Sequence, residues 1–215
     1  ICQVKNIVHV GIDNLIMDAR SVLSILYQWT QRYVGNNKSK LESVSFRDYV
    51  CAMNERNMLL KDQEYWESRI SHFPAYPKIP TKKMPQEITK QVFKRYTKEM
   101  TKHKWELLKK IGEKQNITAS NILLTAYALM LWEESGSNHF ALNLTIDKRW
   151  NLSKELRHTI GDFTGNILLE IKIDEKKTFI ELAHEIQNQL MKDLEHSDFS
   201  GIKFQRELSK YDGKK

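Results

Sequence analysis

All four prolines of this 215-residue chain lie in one short stretch, between Phe73 and Pro85. Proline has no amide hydrogen and fixes its own φ angle, so the stretch predicts an extended connector instead of a helix or a central strand. A chain of this length can bury a core in one or two compact units. We therefore expect one unit over residues 1–72, a linker over residues 73–90 and a second unit over residues 91–215.

Composition and charge limit the classes of function. No apolar run reaches membrane-spanning length, and the start of the chain lacks the order of a signal peptide, so the sequence predicts a cytoplasmic protein with no membrane partner. Cys2 and Cys51 are far apart and lack histidines at ligand spacing, which predicts reduced thiols and no metal site. The net charge of +7 would attract polyanions, but no nucleic-acid motif accompanies it. We expect no nucleic-acid partner; docking of an acidic protein is a simpler use of the charge.

A strand, a turn and a helix are predicted between Ile7 and Tyr33. Residues 7–12 are apolar and β-branched, which favours a strand, and Ser21 opens a stretch with apolar residues at helical spacing. Asp13 and Asp18 lie on the turn between them. A carboxylate near buried surface needs a cation or several hydrogen-bond donors. From these residues alone, the simpler interpretation is that Asp18 caps the helix or forms an ion pair and that Asp13 is a solvated turn residue. A catalytic role is the alternative.

The remaining pattern indicates several helices and strands. We predict helices at Ser45–Met58, Leu60–Ile70, Lys102–Lys114, 118–132 and Phe179–Leu194, and strands at Gln91–Tyr96, at 140–149 and from Thr164. The helix at 118–132 is apolar nearly all round, so we expect most of its faces to be buried. Alternation in the strand at 140–149 places Asn143 and Thr145 on one face. On solvent these side chains would be ordinary, whereas in a channel they suit holding a carbonyl or a leaving water.

The pattern Asp13-x-x-x-x-Asp18-x-x-Ser21 resembles the signature of heterocyclization domains of nonribosomal peptide synthetases, a branch of the condensation-domain family. The proline-rich segment, a Leu-Asn-Leu-Thr strand and other family motifs follow in the same order along nearly the whole chain. Ordinary condensation domains carry His-His-x-x-x-Asp-Gly in the signature loop, and the second histidine is the usual candidate base. Asn14 stands there instead, and an amide cannot accept a proton at neutral pH.

A second motif is more specific. Residues 161–169 match the family's Gly-Asp-Phe-Thr-x-Leu-x-Leu-Leu, and only Asn166 departs from it. Gly161 permits a tight turn, and Asp162 can accept backbone amides there.

The resemblance implies an α/β, chloramphenicol-acetyltransferase-like, two-lobe condensation-domain fold, here incomplete at both ends. The family's opening motifs would precede Ile1, and its Pro-Val-Val-Phe-Thr-Ser segment would follow Lys215, so we expect this chain alone to be inactive. The implied reaction joins a carrier-bound acyl group to carrier-bound Cys, Ser or Thr, then cyclises and dehydrates the product to a thiazoline or oxazoline. The implied partners are upstream and downstream peptidyl carrier proteins with 4′-phosphopantetheine arms and an adjacent adenylation domain, with no cofactor bound directly. A non-catalytic carrier-docking scaffold is the alternative.

The resemblance also assigns roles to individual residues. It implies that Asp13, Asp18 and Asn143 are catalytic. Five further residues would line the substrate channel or support it: Ser21, Thr145, Arg149, Asp162 and Thr164. Family members keep an arginine at the position of Arg149, so we expect a buried Asp18–Arg149 ion pair that joins the two lobes. His196 follows a long predicted helix, where a structural capping role is expected.

Overall fold

The computed structural model describes residues 7–36, 44–55, 59–151 and 159–212. These residues form a mixed α/β structure. In chain order its main elements are α1 (Ala19–Tyr33), α2 (Phe46–Glu55), α3 (Leu59–Glu67), α4 (Lys102–Lys114), α5 (Ala119–Ser135), β1 (His139–Asp147), β2 (Thr164–Lys172), α6 (Phe179–Glu195) and α7 (Gly201–Asp212). Short 3₁₀ turns lie at Ile70–His72, Pro85–Glu87 and Lys148–Asn151. None of the helices in the described ranges is long and apolar enough to span a membrane.

Polar residues at the helix starts explain where several of the helices begin. The side chains of Asp18, Thr101, Thr118 and Thr178 each accept a hydrogen bond from a backbone amide in the first turn of α1, α4, α5 and α6. Such caps satisfy amides that have no partner inside the helix. The cap of α6 is reciprocal, because the side chain of Glu181 accepts from the backbone of Thr178.

The two strands pair antiparallel and divide the core into two layers. Because side chains alternate along a strand, one face presents Phe140 and Leu142 of β1 with Leu169 and Ile171 of β2. This face packs on α5 and α6 in the main apolar cluster. The opposite face carries Asn143, Thr145 and Asn166 and, further along β2, Leu168.

A second apolar cluster covers the Leu168 end of that opposite face. It joins Leu168 to Trp66 of α3, to Phe199 just before α7 and to Phe204 within α7. The aromatic ring of Phe73, at the start of the proline-rich segment, lies 4.8 Å from that of Phe204. The segment then follows β1, where the amide of Ala141 donates to a carbonyl of the segment at 3.0 Å. The α3 helix therefore shares a core with elements beyond the linker, and the three-part division of the chain stays a prediction.

Two predicted strands are not formed in the described residues. Ile7 makes one isolated bridge, and residues 8–13 have no regular structure. Residues 91–96 also form no strand, and Phe93 and Tyr96 are each 90% exposed. A strand gains its stability from hydrogen bonds and side-chain contacts with neighbouring strands. No strand within the described ranges lies beside either stretch, so the β-branched and aromatic pattern alone was not enough to form a strand.

Two points about the helices also need correction. One face of α5 is exposed at Leu123, Tyr127 and Met130, because the sheet, α4 and α6 cover only the other faces. The pattern gave no helix for residues 201–212, where α7 forms. The second helix is described as far as Glu55, and its predicted end at Met58 lies outside the described residues. Cys51 is a free, exposed thiol as expected, whereas Cys2 is outside the described residues.

Candidate functional site

Asp18 is held by hydrogen bonds from several parts of the chain. It caps α1, where its Oδ1 accepts from the amide of Ser21 at 2.8 Å, and its Oδ2 accepts from the amide of Phe163 at 3.0 Å. The Arg149 guanidinium donates to both carboxylate oxygens, at 2.5 Å to Oδ2 and 3.3 Å to Oδ1. Asp18 is only 9% exposed. The ion pair expected from the sequence is therefore present and buried.

Arg149 links this carboxylate to three other parts of the chain. It is 1% exposed, and its Nη2 donates to the hydroxyl of Ser21 at 2.8 Å and to the carbonyl of Thr159 at 3.1 Å. The amide of Arg149 donates to the carboxylate of Asp147 at 3.0 Å. Its guanidinium carbon lies 3.8 Å from the ring centroid of Phe163, a cation–π contact. Such a dense set of partners is what a buried charge requires.

The glycine turn before β2 closes the network. The Ser21 hydroxyl donates to the Gly161 carbonyl at 2.9 Å and accepts from the Gly161 amide at 3.1 Å. The same carbonyl accepts from the amide of Asp18 at 3.1 Å. A Cβ on Gly161 would lie 2.4 Å from the ring of Phe46, so this position requires glycine for close packing. As predicted, Asp162 accepts a backbone amide in the turn, from Thr164 at 3.0 Å.

The electrostatics of Asp18 follow from these contacts. Burial alone would raise the pKa of its carboxyl, but the hydrogen bonds from Arg149, Ser21 and Phe163 outweigh burial and hold the pKa below its usual value. Asp18 is therefore ionised at neutral pH, with its oxygens occupied by protein donors. This arrangement suits fixing the loop and the turn against each other, and it gives the carboxylate little capacity to accept a proton.

Asp13 lies in a different environment. It is exposed, and its Oδ1 accepts from the amide of Leu15 at 2.9 Å in a local turn. The structure thus brings Asp18, Ser21 and Arg149 together and leaves Asp13 outside their hydrogen-bond network. Its catalytic role stays a prediction that rests on the sequence resemblance.

Most of the other candidates surround one cavity. This cavity of about 420 Å³ is lined by Tyr49, Thr145, Lys148, Asp162, Phe163, Thr164, Gly165, Asn166, Ser200 and Ile202. Three residues expected to line a channel, Thr145, Asp162 and Thr164, are therefore neighbours. Asn143 is exposed on the same sheet face, and its Oδ1 accepts from the Nδ2 of Asn166 at 3.3 Å.

Sequence reasoning missed three polar residues near this cavity. Asp147 bridges Arg149 to Arg20, whose Nη1 donates to the Asp147 carboxylate at 2.8 Å. Strand alternation places Asp147 on the same face as Asn143, and this was the sequence signal that could have identified Asp147. Asn166 stood out only as a departure from a motif. Nothing in the pattern singled out Lys148, whose ammonium pKa is lowered by burial.

His196 makes structural contacts, but its side chain does not provide the helix cap that was expected. Its ring stacks on Tyr65 with 4.1 Å between centroids, and its Nδ1 lies 3.0 Å from Oδ1 of Asp62. The His196 carbonyl accepts from the indole of Trp66 at 2.8 Å. These contacts attach α3 to the end of α6. Among the described residues, no group of His, Cys, Asp and Glu side chains is arranged to hold a metal ion.

Comparison with known proteins identifies the family to which this chain belongs. The condensation-domain family pattern matches residues 12–212. Bacitracin synthase 1 of Bacillus licheniformis is 34% identical over 215 residues, which cover 97% of this chain and 4% of the synthase. Pyochelin synthetase PchF of Pseudomonas aeruginosa is 28% identical over 213 residues, which cover 97% of this chain and 12% of PchF. The chain thus spans a small part of these relatives.

A solved structure agrees with both. The EpoB cyclization-docking bidomain from Sorangium cellulosum, part of a nonribosomal peptide synthetase, has a TM-score of 0.81 and 27% identity, with 94% of this chain and 42% of that chain covered. The chain belongs to the condensation-domain family. Within that family it is of the heterocyclization type, so the resemblance and the condensation fold predicted from the sequence are confirmed.

Proposed function

We propose that this chain contributes the substrate-facing sheet and the signature loop of a domain that condenses and then cyclodehydrates carrier-bound substrates. An upstream acyl thioester is attacked by the amine of a carrier-bound Cys, Ser or Thr, which forms an amide and releases a thiol. The side-chain thiol or hydroxyl then attacks the new amide carbonyl, and loss of water gives a thiazoline or oxazoline. A similarity to a cyclization bidomain supports this reaction class.

One observation carries the proposal. The Asp18–Arg149 pair, Ser21 and the Gly161 turn form one buried network, and the turn leads directly into the wall of the cavity near Asn143. The network therefore fixes the position of Thr164 and its neighbours relative to the signature loop. Preorganisation of this kind lowers a barrier without a strong base, which fits a loop with an amide at Asn14.

In this proposal the candidate residues divide by role. Asn143 would contact the reacting carbonyl, and Thr145 and Thr164 would line the path of the substrate with hydroxyl groups. Asp18 and Arg149 would act by holding the loop. For Asp13, exposed at the signature turn, we propose contact with substrate from the solvent side.

The partners follow from the chemistry of the substrates. Both acyl groups would arrive as thioesters on 4′-phosphopantetheine arms of carrier proteins, with an adenylation domain loading the downstream carrier. The hydroxyl and amide groups of Thr145, Thr164 and Asn166 on the cavity wall fit the amide-rich arm. The proposed division into two lobes would let such an arm enter between them.

The test uses the complete reading frame that encodes this chain, mixed with an acyl-loaded donor carrier and a cysteinyl-loaded acceptor carrier. We expect the acceptor carrier to gain the acyl group and then lose the mass of one water by intact-mass spectrometry. Asn143→Ala should slow water loss by about 100-fold, the effect of removing one transition-state donor. The matched control is Asn138→Ala, at an exposed residue just before β1, which should retain the rate.

The same experiment tests the alternative of a non-catalytic docking scaffold. Binding of loaded carriers with no change in their mass would contradict the enzyme and support the scaffold. Condensation without water loss would contradict heterocyclization while leaving amide formation in place.

A further inference from the structure

The amide of Asn143 has a partner on the neighbouring strand. In the sheet register Asn143 lies opposite Leu168, and Asn166 lies opposite Thr145, so the two asparagines are diagonal neighbours on one face. The Nδ2 of Asn166 donates to the Oδ1 of Asn143 at 3.3 Å. The motif at 161–169 has leucine where this chain has Asn166, and leucine cannot make this bond. The interaction is therefore a feature of this sequence.

Asn166 is held in place from two sides. Its backbone is fixed within the β1–β2 pairing, and its side chain faces the first residue of α7. A Cβ on Gly201 would lie 3.1 Å from both the Nδ2 and the carbonyl oxygen of Asn166. Because α7 packs this closely, the Asn166 amide has little room to move away from Asn143. The donor in this hydrogen bond is thus preorganised.

The orientation of Asn143 follows from this contact. A side-chain amide offers one accepting oxygen and one donating nitrogen. Asn166 occupies the oxygen, and no group among the described residues accepts from the Nδ2 of Asn143. We propose that Asn166 is a positioning residue that fixes Asn143 as a hydrogen-bond donor toward the carbonyl oxygen of the substrate. This inference rests on the proposed function and assigns Asn143 the role of hydrogen-bond donor within it.

The main experiment is a double-mutant cycle in the complete reading frame, with the same loaded carriers. Asn166→Leu keeps the size and branching of the side chain and removes the donor. We expect it to slow water loss by about 3- to 10-fold, the range of one neutral hydrogen bond, with little change in KM for the acceptor carrier. In the Asn143→Ala background the same substitution should cause no further loss, because its effect acts through Asn143. Equal losses in both backgrounds would overturn the inference.

A second variant reverses the polarity of the contact. Asn166→Asp has nearly the shape of the native residue but offers only acceptors at neutral pH. It would draw the Asn143 nitrogen toward itself and turn the oxygen toward the substrate, so its loss of rate should exceed that of Asn166→Leu. A smaller loss would contradict the assigned orientation.

Two controls separate the possible failures. Asn138→Leu makes the same chemical change at an exposed residue outside the site and should keep the wild-type rate, and thermal unfolding shows whether each variant is folded. A wild-type protein that binds loaded carriers without water loss overturns the proposed function and this inference with it. If the wild-type protein is active and the effects of Asn166→Leu and Asn143→Ala are additive, only the role of Asn166 is overturned.

Discussion

At the scale of single residues, the buried ion pair explains why the signature loop carries aspartate. Both members are almost inaccessible to water, and each makes hydrogen bonds to distant parts of the chain, with only the Nε of Arg149 lacking a partner among the described residues. Desolvation of two charges is costly, so a pair of this kind contributes more to a defined geometry than to net stability. Breaking one side of it is different, because Arg149 would keep only the more distant and more exposed carboxylate of Asp147, at 3.3 Å, as its anionic partner.

Asp18→Asn should therefore destabilise the fold strongly. It removes the negative charge opposite Arg149, and we expect the free energy of unfolding to fall by about 3–5 kcal/mol. Urea denaturation followed by circular dichroism measures this change. Asp13→Asn is the matched control: its carboxylate is exposed, so the change should stay within about 0.5 kcal/mol. A loss below about 1 kcal/mol for Asp18→Asn would contradict the importance of the pair.

The residue-level predictions succeeded where a local chemical need was visible. A carboxylate beside apolar surface needs a cation, which together with the family pattern indicated Arg149, and a Gly-Asp turn favours a bond such as Asp162 to Thr164. The Asn166–Asn143 contact could not be predicted. It depends on the register of two strands, which the pattern of a single strand does not determine.

At the scale of elements, helices were easier to predict than strands. A helix makes its backbone hydrogen bonds internally, so capping residues and apolar periodicity located α1, α4 and α6 to within a few residues. Strand formation depends on a partner, and only β1 and β2 found one among the described residues. The α7 helix was not predicted, although apolar residues recur at helical spacing at Phe204 and Leu208.

The end of α4 provides a test in which packing opposes helix propensity. Alanine is favoured over glycine inside a helix by about 1 kcal/mol. However, a Cβ on Gly112 would lie 2.4 Å from the carbonyl oxygen of Ile117, a backbone atom that cannot swing aside. We expect Gly112→Ala to lower the free energy of unfolding by about 1–3 kcal/mol, as overpacking does.

Chemical denaturation of Gly112→Ala should be compared with Lys110→Ala on the exposed side of the same helix. The control changes one surface residue and should stay within about 0.5 kcal/mol of wild type. If Gly112→Ala were as stable as wild type or more stable, the close approach of α4 to Ile117 would be wrong.

At the scale of the whole molecule, the proline-rich segment divides the sequence, but residues on its two sides are in contact in the structure. Residues before it reach across to the sheet in two places, the Asp18 network and the Trp66 cluster. A third connection is polar: Arg69 of the region after α3 donates to Asp193 at 2.6 Å and to Glu170 at 2.9 Å. Sequence indicated the linker from backbone chemistry, but contacts between residues more than a hundred positions apart carry no local signal.

Glu170 joins several of these elements and makes stability depend on pH. Its Oε1 accepts from Lys172 at 2.9 Å and lies 2.8 Å from the Nε2 of His139, and its Oε2 accepts from Arg69. Burial alone would raise the pKa of Glu170, but the bonds from Lys172, His139 and Arg69 lower it to about 2, against an ordinary value of 4.5. The unfolded chain therefore binds this proton more readily than the folded one. The resulting stabilisation is complete above pH 4.5 and is lost as the pH falls toward 2.

Glu170→Gln should remove that contribution. We expect the variant to be less stable than wild type at neutral pH, and the difference to shrink as the pH falls from 4.5 to 2, because wild-type Glu170 becomes protonated over that range. Urea denaturation at a series of pH values measures both curves. Glu106→Gln removes an exposed carboxylate paired with Lys109 and should cost less than about 1 kcal/mol at neutral pH. Parallel curves for Glu170→Gln and wild type across this range would show that the carboxylate does not hold Arg69 to the sheet in the way these contacts indicate.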